Sequence, residues 1–164
     1  MKYKPQTREE LKELAEDESI YLGDIDTSLI TDMSNLFYES SRKDFEGIEC
    51  WNVSNVENMS YMFCDAVNFN SNINNWNVSN VEDMFRMFDN CKKFNQPLND
   101  WNVSKVINME YMFCGCELFN QPLDKWDTSN VTDMSFMFHN AKNFNQNINT
   151  WNVSKTEKMI GMFE

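Results

Sequence analysis

The sequence predicts an α/β solenoid in which each 25-residue repeat supplies one short parallel strand and one helix. Five tryptophans lie on a 25-residue grid, and a fixed period of this length is typical of stacked repeats. Within a repeat, apolar residues first alternate with period two, as in a strand, and then follow the spacing of one helix face. The chain is 41% hydrophobic, so neighbouring repeats have enough apolar side chains to form a core. The five tryptophans, interpreted as structural core residues, are Trp51, Trp76, Trp101, Trp126 and Trp151.

The chain opens with a segment, residues 1–24, that is predicted to form a cap helix and a lead-in strand. Thr7 and Glu10 form the S/T-x-x-E pattern of a helix start, because each side chain can bond the backbone N–H of the other. Leu11 and Leu14 then give one apolar face. A helix over 7–17 would cover the first repeat.

The repeats follow in three groups. Residues 25–50 form a degenerate first repeat that is one residue longer than the others, with Ile25 in the tryptophan slot. Residues 51–150 hold four complete repeats, and residues 151–164 hold a truncated last repeat. A single repeat cannot bury its apolar side, so the core is expected between repeats.

The repeat starting at Trp101 shows how each element is predicted. Trp101 and Val103 stand two apart, which indicates a short strand with one apolar face. The next apolar residues follow at spacings of 3, 3, 1 and 3, which favours one face of a helix. These residues are Val106, Met109, Met112, Phe113 and Cys116. Ser54 with Glu57 is one of three further capping-box patterns, and Pro97 and Pro122 mark turns between repeats.

The segment "NVEDMFRMFDNCKKFNQPLNDWNVSKV" resembles the BspA-like leucine-rich repeat family of bacterial surface lipoproteins and domains of unknown function. The resemblance extends over residues 25–163 and implies a right-handed leucine-rich-repeat-like solenoid with a parallel sheet on one side. It also implies surface display, adhesion or protein binding. By the same resemblance, a turn asparagine in each repeat is expected to bond the backbone between repeats. These residues are Asn70, Asn95, Asn120 and Asn145.

Charge and composition limit the classes of partner and cofactor that we expect for this chain. The net charge of −12 disfavours nucleic acid and anionic membranes as partners, and no apolar run is long enough to insert into a membrane. There is no Gly-rich phosphate loop and no metal-binding cysteine spacing. We therefore expect no cofactor, no metal and no catalytic residue, and an unidentified protein as partner.

The five cysteines and the one histidine are interpreted as non-catalytic. Cys91 and Cys116 take a small core slot, while Cys64 and Cys114 take an outward slot two repeats apart, too far for a disulfide. His139 shares the outward slot and is expected on a solvated helix face. Unpaired thiols and the absence of a signal peptide fit a reducing compartment, whereas the family favours the cell surface, so the sequence leaves localisation open.

Two surfaces are candidates for binding. A polar row on the strand face could contact main chain or glycans, or simply be solvated. Its residues are Asn52, Asn77, Asn102, Asp127 and Asn152. An outward aromatic set on the helical side could contact a partner, or be partly buried between repeats. Its residues are Tyr61, Phe85, Tyr111 and Phe136.

These features predict a non-enzymatic scaffold for protein–protein interaction, with adhesion or surface display as its setting. The alternative is a structural spacer within a longer repeat protein. Met159, Met162 and Phe163 have no following repeat to cover them, so the sequence also predicts either a two-fold homodimer through the C-terminal end or continuation of the chain into further repeats.

Overall fold

The computed structural model describes residues 1–164 and contains one α-helix, α1, Arg8–Glu16. Two short 3-10 turns, Leu22–Asp24 and Ile48–Cys50, are the other helical elements. Parallel pairing between repeats is confined to isolated bridges, with no extended strand. The bridges join Tyr3 to Ile25, Asp32 to Asn58, Asn58 to Asp83, Asp83 to Asn108, Asn108 to Asp133, and Asp133 to Lys158. The predicted leucine-rich-repeat-like solenoid, with a strand and a helix in each repeat, is therefore wrong.

Helix α1 lies within the range 7–17 that its capping pattern predicts. The Thr7 hydroxyl accepts a hydrogen bond from the Glu10 backbone N–H at 3.2 Å, which satisfies one of the free donors of the first turn. Leu11 and Ala15 point into the core and are fully buried. Because the helix precedes the repeats, it supplies an end cover for the core.

Overlapping turns replace the predicted helix inside each repeat. In the repeat that starts at Trp101, the N–H groups of Met112, Cys114 and Cys116 each donate to the carbonyl three residues earlier. The N–H groups between them donate across to the next repeat, as Phe113 does to the Met137 carbonyl at 2.9 Å. An α-helix would keep all these donors within its own coil, so this segment is a chain of turns.

Residues in the left-handed backbone conformation allow these turns to close. Counting each tryptophan as position 1, the residues at positions 11 and 15 have φ near +55°, for example Tyr61 at 57° and Asp65 at 58°. This conformation costs a non-glycine residue roughly 1–2 kcal/mol. The cross-repeat hydrogen bonds that it makes available offset that cost. An apolar spacing of 3, 3, 1 and 3 suits both a helix and this chain of turns. The spacing therefore does not distinguish the two, and the helix prediction depended on it.

The predicted strand and its capping boxes are also turns. The N–H of Trp101 donates to the Leu98 carbonyl at 3.1 Å, and that of Val106 donates to the Val103 carbonyl at 2.9 Å. At the predicted capping box of Ser54 and Glu57, the Asn52 Oδ1 accepts the N–H of Ser54 at 3.1 Å. Ser54 therefore belongs to an asparagine turn, and it starts no helix.

The core consists of stacked rings that repeat from one unit to the next. The rings of Phe88, Phe113 and Phe138 form one column with centroid separations of 5.6 and 5.7 Å. A second column runs through Phe94 and Phe119 at 5.8 Å. Each ring contacts only the neighbouring repeats, so stability is expected to depend on nearest-neighbour interfaces.

The turn structure makes a prediction at Asn140, an exposed residue with φ +57°. Replacing Asn140 by glycine should leave the protein more stable than replacing it by alanine, by about 1 kcal/mol, because glycine adopts positive φ without strain. In a helix interior the order is reversed, with alanine better by about 1 kcal/mol. Chemical denaturation of the two variants measures the difference. An alanine variant more stable than the glycine variant would contradict the turn structure.

Candidate functional site

The aromatic residues singled out from the sequence form a continuous ridge along the stack. We define the aromatic ridge as Tyr38, Tyr61, Phe85, Tyr111 and Phe136. The first four rings meet edge to face, with centroid separations of 6.0, 5.1 and 6.5 Å. Tyr111 and Phe136 stack at 4.7 Å. Tyr38 is exposed and the other four are half-buried, so the ridge presents ring edges and faces to solvent while its members pack on one another.

The left-handed turns explain why these rings point outward. Tyr61, Tyr111 and Phe136 share position 11, which lies between the buried methionines at positions 9 and 12. Phe85 precedes the equivalent position, where Arg86 stands with φ +53°. The rings are therefore partly buried, as one of the two interpretations expects, and contact with a partner through their accessible surface stays a prediction.

Arg86 places a cation on the ridge. Its guanidinium lies 4.0 Å from the centre of the Tyr111 ring and 5.5 Å from that of Phe85, within the range of cation–π attraction. The same group donates to Asp89 Oδ2 at 2.7 Å. Burial raises the pKa of the Asp89 carboxyl, and the charge of Arg86 opposes that rise. The ridge thus already carries one bound cation, supplied by the chain itself.

Acidic groups lie near the first ring of the ridge. A hydrogen bond to Glu39 and the charge of that carboxylate raise the pKa of the Tyr38 hydroxyl, with a smaller contribution from Asp65. The whole chain carries a net charge of −12. An approaching cation is therefore attracted both by the rings and by the general field of the protein.

Tyr38 and Arg86 are the ridge features that sequence reasoning missed. The first repeat is one residue longer, and Tyr38 stands at position 14 of that repeat. Alignment by slot could not place it beside Tyr61. Arg86 occupies position 11 of its repeat, where three other repeats have Tyr or Phe, and this alternation was the available signal.

The residues of the predicted polar row are exposed, and their side chains form hydrogen bonds to residues two positions later. Asn52 Oδ1 accepts from both the N–H and the hydroxyl of Ser54, at 3.1 and 2.7 Å. The other members accept the N–H two residues later in the same way. These pairs are Asn77 with Ser79, Asn102 with Ser104, Asp127 with Ser129, and Asn152 with Ser154. One side-chain oxygen of each residue holds a turn in place, which leaves the side-chain amides of the four asparagines and the second carboxylate oxygen of Asp127 for a partner.

The tryptophans and the turn asparagines lie between repeats. Each indole N–H donates to a backbone carbonyl of the preceding coil, as Trp101 does to Ile73 at 3.0 Å. The corresponding acceptors for Trp51, Trp76, Trp126 and Trp151 are the carbonyls of Leu22, Ile48, Leu98 and Leu123. Asn70 Oδ1 accepts the N–H of Asn95 at 3.0 Å, and the same contact joins Asn95 to Asn120 and Asn120 to Asn145.

The cysteines and the histidine depart partly from their expected places. All five thiols are free, and Cys64, expected to point outward, is buried. Burial raises the pKa of the Cys64 thiol, and that of Cys114 rises to about 12 for the same reason, with the charge of Asp89 adding to both. His139 is half-buried against the Phe136 ring, and its Nδ1 has no hydrogen-bond partner.

No group of three His, Cys, Asp or Glu side chains is arranged to hold a metal ion. The largest surface depression, about 510 Å³, lies between the N-terminal residues and α1, where Lys2, Lys4, Glu10 and Glu13 contribute to its lining. The structure has no helix with both the length and the apolar character needed to span a bilayer.

Comparison with known proteins gives one match. The model of a family described as "Mycoplasma protein of unknown function, DUF285" matches residues 9–117 and, a second time, residues 97–164. The double match agrees with the internal repetition of the chain. It does not establish the BspA-like leucine-rich repeat family that the sequence resembles. No curated protein and no solved structure matches the chain.

Proposed function

The chain belongs to the DUF285 family, described as Mycoplasma proteins of unknown function, and we propose that it is a non-enzymatic scaffold that binds another protein through its aromatic ridge. The single observation that carries the proposal is the continuity of the ridge, five rings in contact from Tyr38 to Phe136. The core does not need these rings, because the inward positions are filled by methionine and phenylalanine. Accessible aromatic rows of this kind are enriched at protein interfaces.

The chemistry of the ridge favours a basic segment of the partner. Arg86 lies over Tyr111 at 4.0 Å, so the ridge accommodates a guanidinium within this chain. Arg86 contacts the rings of both Phe85 and Tyr111. The next rings along the ridge on either side, Tyr61 and Phe136, have no cation in contact. A partner segment with Lys or Arg at suitable spacing would place its cations on these rings, and the acidic character of the chain would support the approach.

The resemblance to BspA-like repeats adds a setting for this binding. In that setting the scaffold would act in adhesion or surface display, with the ridge turned towards a protein on another surface. The runner-up function, a structural spacer, requires no ligand at all. A peptide-selection experiment distinguishes the binding function from the structural-spacer function.

Random peptides should be selected against the immobilised full chain and then measured by titration. We expect enrichment of Lys- and Arg-containing peptides, with affinity that falls as salt rises. The double variant Tyr61→Ser, Tyr111→Ser should weaken binding by about ten-fold or more, because aromatic anchors dominate such contacts. The control is Leu118→Ser, which removes an exposed apolar side chain away from the ridge.

Two results would overturn the proposal. Selected peptides that bind the double variant as tightly as the wild type would place the binding surface elsewhere. A selection that enriches no peptide above background would favour the spacer. Circular dichroism of each variant verifies that the stack remains folded.

A further inference from the structure

The aromatic ridge carries opposite charges at two places along its length. Carboxylates lie near its Tyr38 end, and in its middle the guanidinium of Arg86 lies over the Tyr111 ring at 4.0 Å. The ridge therefore offers a partner one negative place and one positive place on a single row of rings.

A depression of about 220 Å³ adjoins the Tyr38 end of the ridge. Tyr38 and Glu39 line it, and Glu16 and Glu18 add two further carboxylates. Arg42 also contributes to the lining, but its guanidinium is buried and donates to four backbone carbonyls. The depression is therefore acidic, and the Tyr38 ring at its side is 42% exposed.

Most of the carboxylates at this end have no cation of their own. The Glu39 N–H donates at 2.8 Å to the carbonyl of the residue that precedes Asp65, so the two acidic residues lie at the same level in neighbouring repeats. Glu18, Glu39 and Asp65 form no ion pair within the chain, whereas Glu16 Oε1 lies 3.7 Å from Lys12 Nζ. An exposed ring beside unpaired carboxylates is the complement of a Lys or Arg side chain.

The middle of the ridge is the complement of a carboxylate. The Arg86 side chain is 31% exposed, and its Nη1 donates to Asp89 Oδ2 at 2.7 Å. The Nε and Nη2 groups of Arg86 donate to no group in the chain. Because the Asp89 side chain is only 4% exposed, it holds the guanidinium from beneath and leaves these donors available to a partner.

Hydrogen bonds between repeats set the distance between the two charged places. The Tyr61 N–H donates to the Phe85 carbonyl at 2.8 Å, so the backbones of neighbouring repeats are about 5 Å apart here, as in paired strands. A cation between the Tyr38 and Tyr61 rings would thus lie roughly 7–10 Å from the Arg86 guanidinium. Residues two apart in an extended chain stand on one face about 7 Å apart, and long side chains cover the remainder. A short segment has no stable helix of its own, so the extended spacing applies.

Resting on the proposed function, we propose that the ridge selects an extended partner segment in which a basic and an acidic residue stand two positions apart. The basic side chain enters the acidic depression beside Tyr38 and Tyr61, and the acidic side chain meets Arg86. A second basic residue in place of the acidic one would face the guanidinium and is disfavoured. The ridge therefore recognises an arrangement of charges, and basic charge alone does not satisfy it.

Four synthetic peptides titrated against the full chain test this arrangement. Three contain a lysine, one serine and then glutamate, glutamine or a second lysine, and the fourth has lysine and glutamate adjacent, on opposite faces of an extended chain. The spaced lysine–glutamate peptide should bind about 3- to 5-fold more tightly than the lysine–glutamine and adjacent peptides, as for a partly exposed ion pair. The lysine–lysine peptide should bind most weakly. General attraction to a chain of net charge −12 would give the opposite order, with the lysine–lysine peptide tightest.

Variants of the chain assign each charge of the peptide to its place. Arg86→Gln should bind the lysine–glutamate and lysine–glutamine peptides equally, because the partner of the glutamate is gone. Lys105→Gln, which removes the same charge at a position away from the ridge, should keep the preference for glutamate. The double variant Glu39→Gln, Asp65→Asn should weaken both peptides by several-fold and leave their ratio unchanged.

The possible results separate this inference from the function on which it rests. Equal binding of the lysine–glutamate and lysine–glutamine peptides, both weakened by Tyr61→Ser, Tyr111→Ser, would overturn the charge arrangement and leave the ridge as the binding surface. A glutamate preference that persists in Arg86→Gln would also overturn it. Failure of all four peptides to bind would count against the ridge itself and so against both proposals. Circular dichroism verifies that each variant is folded.

Discussion

Replacing Trp101 by alanine is expected to lower the free energy of unfolding by about 3–5 kcal/mol, the range typical of large-to-small substitutions in a close-packed core. Trp101 is 2% exposed, and its indole N–H donates to the Ile73 carbonyl at 3.0 Å. Its ring also lies 6.3 Å from that of Phe88. The substitution therefore removes a ring from the core and takes away one of the two donors to the Ile73 carbonyl, which keeps the Trp76 N–H at 3.0 Å.

The matched control is Trp151→Ala, at the same slot in the last repeat. Trp151 stacks on Trp126 at 6.2 Å and is 8% exposed. We expect a smaller loss there, because Trp151 is less completely buried than Trp101 and its ring contacts are with one neighbouring repeat. Guanidinium denaturation followed by fluorescence of the remaining tryptophans measures both. Equal losses at the two positions would contradict the nearest-neighbour description of the stack.

Replacing Arg42 by methionine is expected to lower the free energy of unfolding by about 2–4 kcal/mol, because four carbonyls, one in a buried and three in part-buried hydrogen bonds, lose the guanidinium as donor together. Arg42 is 4% exposed, and its guanidinium donates to the carbonyls of Ala15 and Ile20, each at 2.9 Å. It also donates to the carbonyls of Asp17 and Asp44. Burial lowers the pKa of the Arg42 guanidinium, but arginine stays charged in proteins.

Arg42→Lys separates geometry from charge in this contact. Lysine keeps the positive charge but lacks the planar guanidinium that donates to several carbonyls at once. We therefore expect an intermediate loss in the free energy of unfolding. Because Arg42 holds the last turn of α1 to the first repeat, the methionine variant should also expose amides of residues 8–16 to faster hydrogen exchange. A methionine variant with unchanged stability and unchanged exchange in α1 would show that the carbonyls find water instead.

The substitutions at Trp101 and Arg42 test different parts of the same fold. Trp101 belongs to the repeating core, where each ring lies between equivalent neighbours. Arg42 belongs to the non-repeating end, where α1 takes the place of a preceding repeat. Loss of the Arg42 contact is therefore expected to loosen α1.

Several features of this protein follow from the sequence alone. The 25-residue period and the inward tryptophan, methionine and phenylalanine positions could be identified because burial selects residue types by slot. Helix α1 could be identified because its capping residue and its apolar face are local signals. The ring positions Tyr61, Phe85, Tyr111 and Phe136 could be identified because each is an apolar residue at an outward slot.

Only the tertiary structure decided what the backbone does between these positions. The spacing of Met109, Met112 and Phe113 suits a helix and a chain of turns equally, since both bring residues three and four apart to one side. The outcome depends on where the N–H groups find acceptors, and here every second one finds a carbonyl of the next repeat. That acceptor is about 24 residues away in the chain, so no local pattern reports it. The same long-range bonds put Tyr38 beside Tyr61 and Arg86 over Tyr111, which is why the continuous ridge emerged only when the repeats were stacked.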